Sequence, residues 1–288
     1  MSNIKIAIIQ TGCWGDNINS TLMLKPIKTK YKECTIDVYT THQYGSAFKN
    51  NPYIHKIYLF HSKTKNEALH LATMIKPKED YDIIINAHPL FNPDKRSSIK
   101  HPEWGVNIVY SWVRALEDND IEYEIPLETI LQLTDEEIEN VKSYLLSLNL
   151  KQSRRILMEI EGESGQSHWN GRWTDKVINH LSRGDNDIFV SCKSWDSSLR
   201  KLPNVHFVGH LSIRECAELY NHCDVFLSVS SGLSNACNTN WCKKDIKWIE
   251  AVNSMAASSA AVRACGKIYW LNNDVDGYIE CLRSNGIK

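Results

Sequence analysis

The chain has 288 residues, of which 33 are basic and 34 acidic, giving a formal net charge of −1. That balance gives no whole-chain signal for a polyanionic partner, and the length suits two domains of about 140 residues each, near the common domain size. No apolar run approaches the roughly 20 residues needed to span a bilayer, and the opening MSNIKIAIIQTG enters a strand rather than a signal-peptide core, so a soluble, cytoplasmic protein is expected.

Ile4 to Ile9, IKIAII, is short, β-branched and apolar, as suits a central parallel strand covered on both faces. The next segment, Thr11 to Thr21 (TGCWGDNINST), cannot continue it. Gly12 and Gly15 allow backbone conformations closed to other residues, and Asn17 is expected to cap a helix carrying Ile18, Leu22, Leu24 and Ile27. Asp16 then stands at the carboxyl ends of the strands, where open α/β sheets bind ligands. Two readings of it follow: a helix cap and a catalytic carboxylate. The loop has neither GxGxxG nor GxxxxGK[ST] spacing, so it is not a standard phosphate fingerprint.

Further strands are predicted at Thr35 to Thr40, Lys56 to Phe60 and Asp82 to Asn86, with helices over Ala68 to Ile75 and Val106 to Leu116. Tyr123 to Leu133 is irregular, contains Pro126 and marks a connection between domains 1–133 and 134–288. Thr134 followed by Glu137 makes a capping box, and Ile138, Val141, Leu145 and Leu148 recur at helical spacing. The alternation then resumes. Strands are expected at Ile156 to Ile160, Asp187 to Ser191, Val205 to Val208, Asp224 to Ser228 and Lys267 to Leu271, with helices over Thr174 to Leu181 and Ile213 to Tyr220. The pattern predicts an α/β protein of two doubly wound, Rossmann-like halves facing each other across a cleft, with a C-terminal helix free to pack back on the first half.

A second strand-loop-helix turn, DVFLSVSSGLSNACN, spans Asp224 to Asn238. Ser228, Ser230, Ser231 and Ser234 gather hydroxyls around a helix expected from Leu233, just after Gly232, which reads either as a diphosphate seat or as an ordinary serine-capped turn. Upstream, Glu159 to Thr174 carries three glycines and Arg172, and Lys193 follows another strand; both cations are candidates for phosphate. Asp185-Asn186-Asp187 precedes a strand and reads as turn chemistry rather than a metal-binding DxD. The nine cysteines are scattered and fall mostly within predicted elements, as reduced core thiols do. Cys237 and Cys242, with His222 and Cys223 upstream, lack a second matching pair and read as structural.

Three segments carry a family likeness: GCWGDNINSTLMLKPIK with its Gly-Asp pair and Pro26, TIDVYTTHQYGSAFKNNPYIHKIYLF with its Asn-Pro-Tyr, and HFVGHLSIRECAELYNHCDVFLSVSSGLSNA. In this order they resemble glycosyltransferase family 9, the bacterial heptosyltransferase-like enzymes, which have the GT-B fold. The resemblance places the family's general base on Asp16 and its diphosphate turn on Ser230 to Ser234. Around the donor it gathers Gly12, Trp14, Gly15 and Asn17 from the first loop, with Arg172, Lys193, Ser230, Ser231, Gly232, Leu233 and Ser234 from the second half. It also departs from the family: Ser230-Ser231-Gly232 and Asn235 stand where many members have Asp-Ser/Thr-Gly and a histidine. Gly171-Arg172-Trp173-Thr174 stands for Lys-x-Trp-Pro.

The implied activity is inverting sugar transfer, heptose-like or other, from a nucleoside-diphosphate donor, ADP-linked by resemblance, to a saccharide or glycolipid acceptor such as lipopolysaccharide. No metal and no cofactor beyond the donor are expected. For the acceptor the resemblance implicates His42, Gln43, Tyr44, His88 and the segment Pro89 to Trp104, in which Lys95, Arg96, Lys100 and His101 lie among Phe91 and Trp104. That mixture also suits a DNA base acceptor, a solvated loop or peripheral contact with a membrane. Two rivals remain open. A dinucleotide-type or epimerase enzyme would want GxGxxG and an acidic residue ending the second strand, where Thr40-Thr41-His42 stands instead. A non-catalytic binding module is kept open by the altered 230–235 turn.

Overall fold

A computed structural model describes residues 4–62, 64–77, 80–87, 110–124, 127–148, 150, 154–162, 169, 171–252, 266–270 and 274–288. The chain splits into two compact units, Met1–Leu133 and Thr134–Lys288.

The first unit holds a four-stranded sheet built from β1 (Lys5–Ile9), β2 (Thr35–Thr41), β3 (Lys56–Phe60) and β4 (Ile83–Asn86), in the order β3-β2-β1-β4. All pairings are parallel, with Ile6 opposite both Ile36 and Ile83. β1 is central, so both its faces are covered, and Ile6, Ala7, Ile8 and Ile9 are all buried. After β1 come α1 (Trp14–Ser20), a 3₁₀ turn and α2 (Leu24–Lys30), which bury Ile18, Leu22, Met23 and Ile27. α3 (Lys65–Met74) starts at Thr64, whose hydroxyl accepts the Glu67 N–H, and α4 (Tyr110–Glu117) buries Trp112.

The first loop differs from its sequence reading in two respects. Asn17 does not cap the helix, because α1 begins three residues earlier with Cys13 as N-cap. Gly15 lies inside α1, and neither it nor Gly12 has a positive φ; Gly12 is small because of crowding, with a Cβ there falling 2.7 Å from Asp16 Oδ2 and 2.9 Å from Gln10 Oε1.

The second unit opens with α5 (Asp135–Ser147), whose capping box forms as its spacing predicts: Glu137 N–H donates to Thr134 Oγ1 at 3.3 Å and Thr134 N–H to Glu137 Oε2 at 2.8 Å. Six parallel strands follow in the order β10-β9-β8-β5-β6-β7: β5 (Arg154–Glu159), β6 (Asn186–Ser191), β7 (Val205–Phe207), β8 (Val225–Val229), β9 (Lys247–Val252) and β10 (Gly266–Trp270). Sequence reading misses β9, because Lys247 and Glu250 interrupt the apolar signature of a buried strand.

One face of this sheet carries Ile156, Met158, Val225, Leu227 and Ile249 into a core completed by α6 (Gly171–Leu181) and α9 (Val275–Ser284), which contribute Val177, Ile178, Tyr278 and Leu282. The apolar side of the C-terminal helix thus goes into its own unit, with Tyr278 edge-on to Trp169 at 5.2 Å. The other face carries Leu157, Phe226 and Trp248 against α7 (Ile213–Tyr220), where Tyr220 meets Phe226 edge-on at 5.3 Å. The short α8 (Gly232–Cys237) follows β8. Cys34, Cys192, Cys216, Cys223, Cys237 and Cys242 are buried free thiols, as expected, and burial pushes Cys192 and Cys216 up to about 12. Among the described residues no helix is long and apolar enough to cross a membrane.

Candidate active site

Each sheet has one place where the chain reverses the direction in which it adds strands. In the first it lies between β1 and β4, in the second between β5 and β8. Open α/β sheets bind ligands at the carboxyl end of that gap, because the loops there diverge to opposite sides.

In the first unit the gap is closed by Gln10, directly after β1. Its side chain donates to Ala87 O at 2.7 Å and accepts the Gly12 N–H at 2.9 Å, while Trp112 Nε1 donates to the same Ala87 oxygen at 3.1 Å. Upon this clasp sits the Asp16 loop. Asp16 is partly exposed in the first turn of α1, and its Oδ2 accepts the Cys13 N–H at 3.0 Å. Asn17 is fully buried: its amide donates to Gly12 O at 2.6 Å and Cys13 O at 2.9 Å, and its Oδ1 accepts from Thr40 Oγ1 at 2.6 Å. Trp14 is also buried, its Nε1 donating to Ser46 Oγ at 3.0 Å. Asn17 and Trp14 therefore hold the loop from behind, and Asp16 is the charged residue of the loop, partly exposed.

His42 and Gln43 are exposed beyond β2, with the His42 ring stacked on His61 at 4.5 Å, while Tyr44 is buried. His88 and Pro89 to Trp104 lie outside the described residues.

In the second unit the gap is bridged by a side-chain contact that the motif analysis did not anticipate. Glu159, the last residue of β5, accepts a hydrogen bond from the hydroxyl of Ser231, the N-cap of the helix that follows β8. The Ser231 hydroxyl also accepts the Ser234 N–H at 3.1 Å, and Ser234 Oγ accepts the Ser231 N–H and donates to the Ser231 carbonyl, each at 3.0 Å. Both hydroxyls are thus engaged within the turn. Ser228 Oγ is likewise occupied, accepting from Trp248 Nε1 at 2.8 Å. Gly232 is partly exposed at the start of α8 and Leu233 is buried behind it. Arg172, in the first turn of α6, and Lys193, two residues past β6, are both exposed on the carboxyl side of the same sheet.

Glu159 is buried, and burial, with Glu250 and Glu161 nearby, pushes its carboxyl well above the usual glutamate range although the Ser231 hydroxyl pulls the other way. The sequence signal for Glu159 is a single carboxylate within the otherwise apolar run Ile156 to Ile160, which reads as a strand residue facing solvent. Among the described residues no group of three or more His, Cys, Asp or Glu is placed to hold a metal.

Two parallel α/β units, each with loops diverging at its direction-reversing gap, define a two-domain, doubly wound α/β architecture. No protein-family model and no curated protein sequence matches the chain. By structure it is similar to a family 9 glycosyltransferase from Veillonella parvula, at 13% identity over 100% of this chain and 93% of that one, with a TM-score of 0.68. It is similar to ADP-heptose LPS heptosyltransferase II of E. coli, at 13% identity over 98% of both chains, with a TM-score of 0.66. A third likeness is to E. coli heptosyltransferase WaaC with ADP-2-deoxy-2-fluoro heptose, at 11% identity over 98% of this chain and 100% of that one, with a TM-score of 0.57. These likenesses show that the chain has the α/β fold of family 9 glycosyltransferases along its whole length.

Proposed function

We propose that the protein is an inverting glycosyltransferase that moves a sugar from a nucleoside-diphosphate donor to a hydroxyl acceptor without a metal ion. The observation that carries this reading is the partly exposed Asp16 carboxylate, fixed by Cys13 N–H at the carboxyl end of β1 in a chain with a glycosyltransferase fold. Asp16 takes the proton of the acceptor hydroxyl as its oxygen attacks the anomeric carbon, and the bond from that carbon to the diphosphate breaks with the electron pair leaving on phosphate. Inversion follows from attack on the face opposite the leaving group.

The diphosphate falls to the second unit, where the start of α8 at Gly232, with Arg172 and Lys193, supplies donors and positive charge for the negative charge that develops. An ADP-linked, heptose-like donor is favoured by the similarity to heptosyltransferases, one of them with an ADP-heptose analogue. A saccharide or glycolipid is the proposed acceptor.

A thermal-shift series with ADP-, GDP-, UDP- and CDP-sugars, followed by turnover assays with and without EDTA, tests the reading. Stabilisation by an ADP-sugar and EDTA-insensitive turnover are expected. A response to NAD alone, or to none of the nucleotides, would overturn it, the former in favour of a dinucleotide enzyme and the latter in favour of a binding module.

A further inference from the structure

Four polar side chains form one row across the second sheet. Ser191 of β6 pairs with Glu159 of β5, Ser228 of β8 pairs with Glu250 of β9, and Met158 next to Glu159 pairs with Leu227 next to Ser228. In parallel strands such partners point to the same face, so Ser191, Glu159, Ser228 and Glu250 share the face covered by α7. Glu159, Ser228 and Glu250 are buried, and the row crosses the β5–β8 gap. A carboxyl in such a place is costly unless it is neutral or fully hydrogen-bonded, and a leucine would fill the same space more cheaply. Its position calls for a role beyond packing.

We propose that Glu159 is the positioning residue of the donor turn: by accepting the Ser231 hydroxyl across the β5–β8 gap, it sets the Ser230 to Ser234 backbone at the place where the diphosphate binds. The proposal rests on the reading of this turn as the donor seat. Glu159 is 6% exposed and touches no substrate; it acts through Ser231. Ser231 links two directions at once, receiving the Ser234 N–H on one side and donating to Glu159 on the other. If Glu159 is removed, the Ser231 oxygen can still accept the Ser234 N–H, but its buried O–H loses the acceptor that fixes its direction.

The groups facing Glu159 are Glu250 from β9, Glu161 just beyond β5, Cys216 from α7 and Cys237 from α8. None of these is cationic, which suits a neutral carboxylic acid. Glutamine reproduces that state: its amide oxygen still accepts from Ser231, and its NH₂ stands for the acid O–H.

The experiment compares E159Q, E159A and the wild type by hydrogen exchange over residues 230–237, which needs no ligand, and by donor KM and kcat. Expected are faster exchange and a donor KM raised about tenfold in E159A with a smaller change in kcat, and near wild-type behaviour for both measures in E159Q. Unchanged exchange in E159A, or faster exchange without a rise in donor KM, overturns the proposal while leaving the donor reading intact. E159Q behaving like E159A also overturns it, since the hydrogen bond would then not be what matters. A wild-type protein that answers no nucleoside diphosphate overturns the donor reading itself, and the positioning role with it.

Discussion

Replacing Asp16 by asparagine separates two roles that one carboxylate combines. The amide oxygen still accepts the Cys13 N–H, so the start of α1 survives, but the group no longer takes a proton. D16N is expected to lose about 10²- to 10⁴-fold in kcat with donor KM nearly unchanged, as measured by steady-state kinetics. If Asp16 only caps, D16N keeps its turnover, and D16A loses about 1 kcal/mol of stability, readable in urea denaturation. Gly12→Ala tests the same carboxylate from the other side. The new Cβ would fall 2.7 Å from Asp16 Oδ2 and 2.8 Å from Asp16 Cβ, so the whole side chain must shift rather than just its tip. A loss of kcat of about tenfold or more is expected, since small misplacements of a reacting group are costly; full turnover in G12A would show that the Asp16 position is not critical.

At the scale of elements, Glu137 ties α5 to α7. Besides receiving the Thr134 N–H, its carboxylate takes Arg214 Nε and Nη2, each at 2.8 Å, and Arg214 is buried. E137A is expected to cost about 3 kcal/mol in denaturant titration, because it strands a buried guanidinium, whereas T134A removes a cap worth about 1 kcal/mol. Equal losses would mean that Arg214 finds another partner. The capping box at Thr134 was legible in the sequence because its spacing is local, but the Arg214 partner was not, since the two residues are 77 apart. The same division holds throughout. Strands made of β-branched, aromatic and other apolar residues, such as Lys5–Ile9 and Lys56–Phe60, announce themselves, and so does the Asp16 loop between a strand and a helix. β9 and Glu159 did not, since a buried carboxylate in a strand looks locally like a surface residue and only the neighbouring strands reveal what covers it. Asn17 misled for a related reason: its amide suits a helix cap, yet tertiary contact with Thr40 gave it a place inside the helix.

At the scale of the molecule, the displaced titrations described for Glu159, His180 and Glu218 all belong to residues 134–288. Burial lowers His180, with Arg283 and Arg183 adding to it, and Glu218, although burial pushes it up, is brought below its usual value by hydrogen bonds from His222, Trp241 and Asn221. Groups with lowered values contribute stability that is present at higher pH and lost on acidification: Glu218 below the ordinary glutamate value of about 4.3, His180 below about 6.5. Glu159 has the opposite sign. Its raised value gives stability fully present below about pH 4.3 and lost as pH rises toward that raised value. E159Q does not titrate, so its melting temperature relative to wild type is expected to climb as pH rises above about 4.3. A pH-independent difference between the two would mean that Glu159 is ionised throughout.

Asn17 has a thermodynamic consequence. Its amide holds Gly12 O and Cys13 O while its oxygen holds Thr40, so the segment from Gly12 to Asn17 is ordered before anything binds. Under the proposed function, an acceptor meeting this loop would find it already shaped, and calorimetry with a saccharide acceptor is expected to return a heat-capacity change set by the buried apolar surface, with none added by folding of the loop.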